Sequence, residues 1–504
     1  MASRDAEKWK QAAESEYNSL MENKTWKLVA RPAGANVIKS KWCFKVKYRP
    51  DGSVERYKCR LVVKGCSQVE GVDYFETYSP VSKMASIRCL LSLAAANDLE
   101  MAQCDVTTAF LYGDLHENIY MAQPEGFTDK TDRVCKLQKS LYGLRQAPLQ
   151  WNRKIAGVLE QLGMSPCSSD PCVYRRKEDK LLFALYVDDG LCLAPKMKVI
   201  DDFLSSLQKV FKMTRGQADC FIGIEIERDR KAKTIKLHQT AYVRKLLERF
   251  SMESCNPAST PHCGDQVLKR NVDENGEKLE PCQAPFRSLV GSLMYAAVGT
   301  RTDVAHVVSQ LSQFLENPSK EHWISAKRVL RYLKATIDLG IVYSAGTKKN
   351  TLIAFSDASW ASDPETRRSV SGVCLMMNGG VVDWKSKKQT LVTDSTTYAE
   401  YVAAHAGTRL VVWFRRLLQE LGFEQELPTV LFLDNAAAEH LVMNPVSHER
   451  TKHFDVKFQY IRERYEKGDV DVKHVSTQDQ LADMLTKNLV ARKLERLRAA
   501  VGIR

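Results

Sequence analysis

Asp188 and Asp189 stand together in the run LLFALYVDDGLCLA (181–194), between two apolar stretches of strand character. Asp-Gly between such stretches is a strong hairpin signal, so the pattern predicts both carboxylates at the tip of a tight turn. Adjacent carboxylates repel, and burial beside apolar strands raises that cost. A hard divalent cation relieves it, and two such ions held by aspartates carry phosphoryl and nucleotidyl transfer. Taken alone, the motif reads equally well as a solvated turn.

Further residues extend the first reading. Asp105 follows a short apolar strand (MAQCDVTTAF), at the edge of a sheet. Asp105, Asp188 and Asp189 would together cage two Mg2+, one acting on a primer 3′-hydroxyl and one on a triphosphate. Phe110 lies just beyond Asp105, placed either to press on a sugar and exclude its 2′-hydroxyl or to pack in the core. Lys58, Arg60 and Lys64 lie on the basic hairpin KWCFKVKYRPDGSVERYKCRLVVKG (41–65). They would clamp a triphosphate or form a solvated strand face.

A second set of acids lies toward the C-terminus. Asp357 ends a strand (LIAFSDAS), Glu400 opens a long helix (TTYAEYVAA) and Asp434 ends another strand (VLFLDN). Asp483 falls in a helix opened by a capping box of Thr477 with Gln480 (TQDQLADML). Each alone is an ordinary surface acid. Four acids in this order, with no nucleophilic Ser or Cys, point to metal-assisted phosphodiester hydrolysis.

The elements that must position these residues follow from periodicity. A short amphipathic helix is predicted over 5–22, the basic hairpin turns at Pro-Asp-Gly, and helices follow at 86–98 and 151–163. The second of these places Trp151, Ile155, Leu159 and Leu162 on one face. Helical stretches surround FIGIEIERD (221–229), a polar boundary spans 256–280, and 321–334 is amphipathic. After about residue 350 the order strand-strand-strand-helix-strand-helix reads as a separate α/β domain.

Composition sets the class. A chain of 504 residues exceeds what one core supports. Its 44% hydrophobic and 27% charged content is that of a soluble globular protein, and a net charge of +13 spread along the chain favours a polyanionic partner, nucleic acid first. The fourteen cysteines show no CxxC or zinc spacing, as in a reducing compartment. No apolar run has the length of a membrane span, and the N-terminus lacks a signal-peptide core.

Ordered motifs carry a resemblance. In chain order they are the basic hairpin, QCDVTTAFLYGDL, VCKLQKSLYGLRQAP, DPCVYRR, LYVDDGLCLA, FIGIEIERD, RSLVGSLMYAAVGTRTDVAHVVSQLSQF, EHWISAKRVLRYLK, SDASWASDPETRRSVSG, WKSKKQ, STTYAEY, LDN, RTKHFDVKFQYIRE and QLADMLTK. From about residue 6 to about 490 the chain resembles the reverse transcriptase–ribonuclease H segment of copia-type long-terminal-repeat retrotransposon polyproteins. The resemblance implies an α+β and α/β multidomain fold: a helical lead-in (1–24), right-hand fingers and palm (25–195), thumb (196–255), connection (256–350), a ribonuclease H-like domain (351–490) and a C-terminal tail (491–504).

It implies RNA- and DNA-directed DNA synthesis with cleavage of the RNA strand of RNA–DNA hybrids. The expected cofactor is Mg2+, two ions per site, with Mn2+ as a substitute. Asp105, Asp188 and Asp189 become the polymerase metal ligands, and Asp357, Glu400, Asp434 and Asp483 the ribonuclease H ligands. Phe110 becomes the sugar gate and Gln146 a contact to the incoming nucleotide. Phe221, Gly223 and Glu225 belong to the primer grip. Partners would be an RNA template, a DNA or tRNA-type primer, RNA–DNA hybrid, dNTPs and the capsid and integrase products of the polyprotein, but no membrane. Cytoplasmic virus-like particles with nuclear access are the expected location. Leu149 stands where the family commonly has Arg, an expected loss of charge near nucleic acid. No protease, integrase or nucleocapsid motif is present, so a processed product, truncated copy or partial gene is expected. The alternative to an active enzyme is a catalytically silent or host-adopted nucleic-acid-binding remnant.

Overall fold

The computed structural model describes residues 5–48, 53–264, 268–270, 285–346, 349–443 and 455–504. The Pro-Asp-Gly turn of the basic hairpin, much of the polar boundary and the start of RTKHFDVKFQYIRE lie outside them.

The DD motif belongs to a six-stranded antiparallel sheet. Its strand order is Met213–Gly216, Glu100–Val106, Asp189–Ala194, Leu181–Tyr186, Val173–Arg176 and Ser165–Pro166. Successive side chains of a strand point to opposite faces. Leu182 and Ala184 therefore join the core that includes the helix Met84–Asn97, while Leu181, Phe183 and Leu185 join the one that includes Ala147–Gln161 and Met197–Gln208. Burial on both faces explains the near-continuous apolar run. The strand 213–216 pairs with 100–106, so this unit continues past the boundary expected at 195.

Upstream, the helix Ala6–Glu22 packs on the hairpin Ser40–Tyr48/Val54–Val63, with the Trp9 ring edge-on to Tyr57 at 4.5 Å and to Phe44 at 5.4 Å. Beside it lies a small sheet of Trp26–Val29, Val134–Leu137, Tyr120–Met121 and Val37–Ile38.

The boundary expected at 255 divides a third sheet. Thr234–His238 pairs with Ile341–Ser344, so a strand before the polar stretch and one after it share one sheet. The tail expected at 491–504 is also built in. Ala491–Ala500 is helical, Leu494, Leu497, Val501 and Ile503 are buried, and Arg504 exchanges two backbone hydrogen bonds with Gly340.

The C-terminal sheet runs Gly380–Lys388, Val370–Met377, Leu352–Ser359, Thr429–Leu433, Val470–His474. The last two strands join in parallel; the 470–474 strand was not foreseen from sequence. The long helix Thr396–Leu421 begins at Ser395, whose side chain accepts from the Tyr398 amide, and ends at Gly422 with φ of 87°. Both are favoured end residues, the glycine because the left-handed region is costly for a residue with a Cβ.

This sheet is not a detached domain. Arg88, 2% exposed on the helix 84–97, donates to the Val382, Val298 and Gly299 carbonyls and lies 3.5 Å from Asp383. A guanidinium so deeply desolvated is stable only when its donors are filled, and here partners from distant chain segments fill them. Among the described residues no helix is long and apolar enough to cross a membrane.

Candidate active sites

Antiparallel register brings the first acids together. Asp189 opens its strand directly opposite Asp105, and Val106 N–H donates to the Asp188 carbonyl at 2.9 Å. The hairpin is as expected but its turn is not. Tyr186 pairs with Asp189, so Val187 and Asp188 form the two-residue turn, and Gly190 lies in the strand. Val187 has φ of 60°, an outlier for a β-branched residue that costs about 1–3 kcal/mol. The Trp151 indole N–H, donating to the Val187 carbonyl at 2.6 Å, helps hold it. Gly190 answers a packing need: a Cβ there would lie 2.6 Å from the Phe183 ring and 2.7 Å from Cys104 Sγ. Burial pushes both turn carboxyls up; with Asp188 and Asp105 adding repulsion, Asp189 rises to about 6. Acids under such strain fit a divalent cation.

Lys58 and Arg60 are half-buried on the basic hairpin and Lys64 is exposed at its end. Burial, with the neighbouring Arg60 and Arg56, lowers the Lys58 ammonium pKa. The Arg60 guanidinium lies 4.3 Å over the Tyr142 ring, whose edge meets Phe110 at 4.8 Å. Burial pushes the Tyr142 hydroxyl up to about 12. Tyr142 was missed from sequence, although it lies within SLYGLRQAP; its only signal was that motif.

Two residues singled out from the sequence are enclosed here. Gln146 is 0% exposed: its amide donates to the Asp73 carbonyl at 2.8 Å and its oxygen accepts from Gln68 at 3.0 Å. It braces the 65–74 loop from inside the protein. Gln146→Ala is expected to destabilise the protein by about 1–3 kcal/mol, because it strands a buried Gln68 donor; urea unfolding checks this. Leu149 is 6% exposed, so its apolar character serves packing.

Phe221 and Glu225 flank a hairpin turning at Ile222 and Gly223, φ 47° and 78°. A Cβ on Gly223 would lie 2.4 Å from the Tyr295 hydroxyl, which donates to the Ile222 carbonyl at 2.7 Å. Phe221 is buried, and Glu225 accepts from the Ala241 amide at 2.9 Å. Both side chains serve this subregion, and the turn backbone is what remains outward.

The second set assembles more tightly. Asp357 lies within the strand 352–359, not at its end, and is 0% exposed. Glu400 reaches it from the long helix and Asp434 from just beyond the strand 429–433. One oxygen from each lies within 4.8 Å of the others, the only such cluster among the described residues. Glu400 Oε1 accepts from the Ala358 amide at 3.1 Å, while its buried Oε2 has no partner. Burial, then Asp357 and Asp434, push Glu400 up to about 9, and burial also raises Asp357. Three converging carboxylates with an orphaned oxygen fit a hard divalent cation.

Asp483 is not in that cluster. It lies in the 3-10 turn Leu481–Leu485, capped by Gln480 and not by Thr477. Lys487 meets one of its oxygens at 2.6 Å and Lys493 the other at 2.5 Å. Lys487 also reaches Asp357 at 3.1 Å, and the Thr486 hydroxyl donates to Asp357.

Comparison with known proteins gives the family. Residues 23–264 match the family described as reverse transcriptase (RNA-dependent DNA polymerase). The retrovirus-related Pol polyprotein from transposon TNT 1-94 of Nicotiana tabacum is 43% identical over 503 residues, covering 98% of this chain and 37% of its own length. That from transposon RE2 of Arabidopsis thaliana is 38% identical, covering 99% and 34%. The chain thus spans about a third of these relatives. A transposon Ty5-1 protein of Saccharomyces cerevisiae is 33% identical over 306 residues, 60% of this chain and 97% of its own. A ribonuclease H1 isolated from compost superposes on 29% of this chain at 15% identity, with a TM-score of 0.23. A relative 33% identical and covered over 97% of its own length makes the chain a member of the copia-type transposon Pol family, carrying its reverse transcriptase domain.

Proposed function

We propose that the chain is a two-site enzyme: an RNA- and DNA-directed DNA polymerase that also cleaves the RNA strand of RNA–DNA hybrids. The observation that carries this reading is the meeting, in two separate places, of acids far apart in sequence. Asp105 faces Asp189 across one sheet, and Asp357, Glu400 and Asp434 converge on another.

In the first site Asp105, Asp188 and Asp189 hold Mg2+, or Mn2+ in its place. Lys58, Arg60 and Lys64 take the triphosphate, and Phe110, backed by the Tyr142 ring, stands against a ribose 2′-hydroxyl. The outward backbone at Ile222–Gly223 supports the primer end. This assigns fingers and palm to about residues 25–216, with the third sheet and its helices as thumb and connection. In the second site Asp357, Glu400 and Asp434 hold the cation. A divalent ion, when bound, lowers the pKa of a coordinated hydroxyl or water and neutralises charge on the reacting phosphate. The net charge of +13 suits the polyanionic template, primer and hybrid. Capsid and integrase partners and a particle location are carried over from the family resemblance alone.

The test is primer extension by residues 1–504 on poly(rA)/oligo(dT), with Mg2+ and then Mn2+, run beside cleavage of a labelled RNA–DNA hybrid. Both activities are expected. Folded protein that binds the hybrid and does neither would support the silent remnant instead.

A further inference from the structure

The nuclease site holds two ammonium groups as well as its acids, and their placement limits what else it can bind. Asp483 is fully buried, and each of its oxygens is taken by a different lysine. Lys487 bridges Asp483 and Asp357, at 2.6 and 3.1 Å. Lys493 comes from the C-terminal helix 491–500 and is fixed by a second bond to the Thr477 carbonyl at 3.1 Å. The unfilled acceptor lies elsewhere, at Glu400 Oε2 in the Asp357–Glu400–Asp434 corner. Four carboxylates against two ammoniums leave two negative charges, matching one divalent cation. A second would bring excess positive charge into a buried site, at a large desolvation cost.

We propose that Lys487 occupies the place of a second cation, between Asp357 and Asp483, so that the free protein binds a single divalent ion in its nuclease site. Lys487 is a positioning residue in this account. Its charge holds Asp483 and one face of Asp357, and Lys493 completes the neutralisation. The C-terminal helix is thereby part of the site. Lys487 remains 35% exposed on its side chain, so solvent reaches it while Asp483 stays sealed. The inference rests on the proposed nuclease reading.

The experiment counts Mn2+ ions by electron paramagnetic resonance and calorimetry, on the full chain carrying Asp188→Asn and Asp189→Asn to remove the polymerase carboxylates. Without nucleic acid, one ion is expected. Lys487→Met is expected to bind two, whereas Lys487→Arg, which keeps the charge, stays at one. Asp434→Asn is expected to weaken the single ion by about tenfold or more, as loss of a ligand does. Asp483→Asn leaves its affinity within about twofold, because a carboxylate already held by lysines contributes no ligand. Circular dichroism confirms the fold of each variant. Two ions in the unsubstituted nuclease site, or an Asp483→Asn loss equal to that of Asp434→Asn, would overturn the inference and leave the nuclease reading standing. No ion at all would overturn both.

Discussion

Primer extension disappears when Asp188 and Asp189 are both replaced by asparagine, while cleavage of the RNA–DNA hybrid continues at its original rate. The expected loss is about 10³-fold or more. Metal-held charge stabilises such transition states by several kcal/mol, and each 1.36 kcal/mol is about a tenfold change in rate. Asparagine keeps the shape of aspartate but offers a neutral amide to the cation. The fold is expected to survive. Burial and its acidic neighbours hold the Asp189 carboxyl at about 6, so the free protein already bears an anion it tolerates poorly, and the amide removes that repulsion. Thermal unfolding without metal therefore shows no loss of stability. Gel-based extension with each dNTP and a parallel hybrid-cleavage assay are the measurements. Loss of both activities in folded protein would mean that the two sites are not independent.

The converse result is expected from Asp434→Asn. Hybrid cleavage falls by a similar factor of about 10³, and primer extension is unaffected. Asp434 is the least enclosed of the three clustered acids, half-buried where Asp357 and Glu400 are buried. On the proposed reading, replacing it removes one ligand without leaving a buried donor stranded in the core. It also takes a repulsive neighbour from Glu400, whose carboxyl burial and the surrounding acids hold up near 9. The same substitution should therefore relax the site electrostatically while disabling it chemically. Rates on a hybrid whose RNA is labelled at its 5′ end, together with extension on poly(rA)/oligo(dT), give the comparison. Equal loss of both activities would contradict the separate-site reading.

The places where sequence reasoning succeeded share a short-range cause. Leu181–Tyr186 and Asp189–Ala194 declared themselves as strands because each side-chain choice meets a buried face, and a two-residue gap forces a hairpin whichever residues fill it. The turn itself was misread. Asp-Gly is the locally preferred pair, but Gly190 was needed in the strand, where Phe183 and Cys104 leave no room for a Cβ. The strain passed instead to Val187. Local propensity lost to packing between strands, and nothing within the motif announces that contest.

Gln146 and Asp483 show the same limit for site residues. Their types and motifs were legible, and so was the chemistry those types permit. Whether a polar side chain faces a ligand or closes a hydrogen bond inside the protein depends on groups far away in the chain. Gln146 meets Gln68 and Asp73, and Asp483 meets a lysine from a helix that reads as a tail. Strand pairing likewise joins segments across positions 195, 255 and 490, which spacing along the chain does not announce.

The order of acidic residues, the strands and helices that carry them and the basic charge are properties of the linear chain, because they follow from side-chain chemistry and a period of two or 3.6 residues. Register, burial and ion pairing belong to the folded molecule. Only there do Asp105 and Asp189 come opposite each other, does Glu400 keep an unpaired oxygen, and does Lys487 stand between two carboxylates. The physical reason is that desolvation and Coulomb energies depend on through-space distance and enclosure, which spacing along the sequence does not encode.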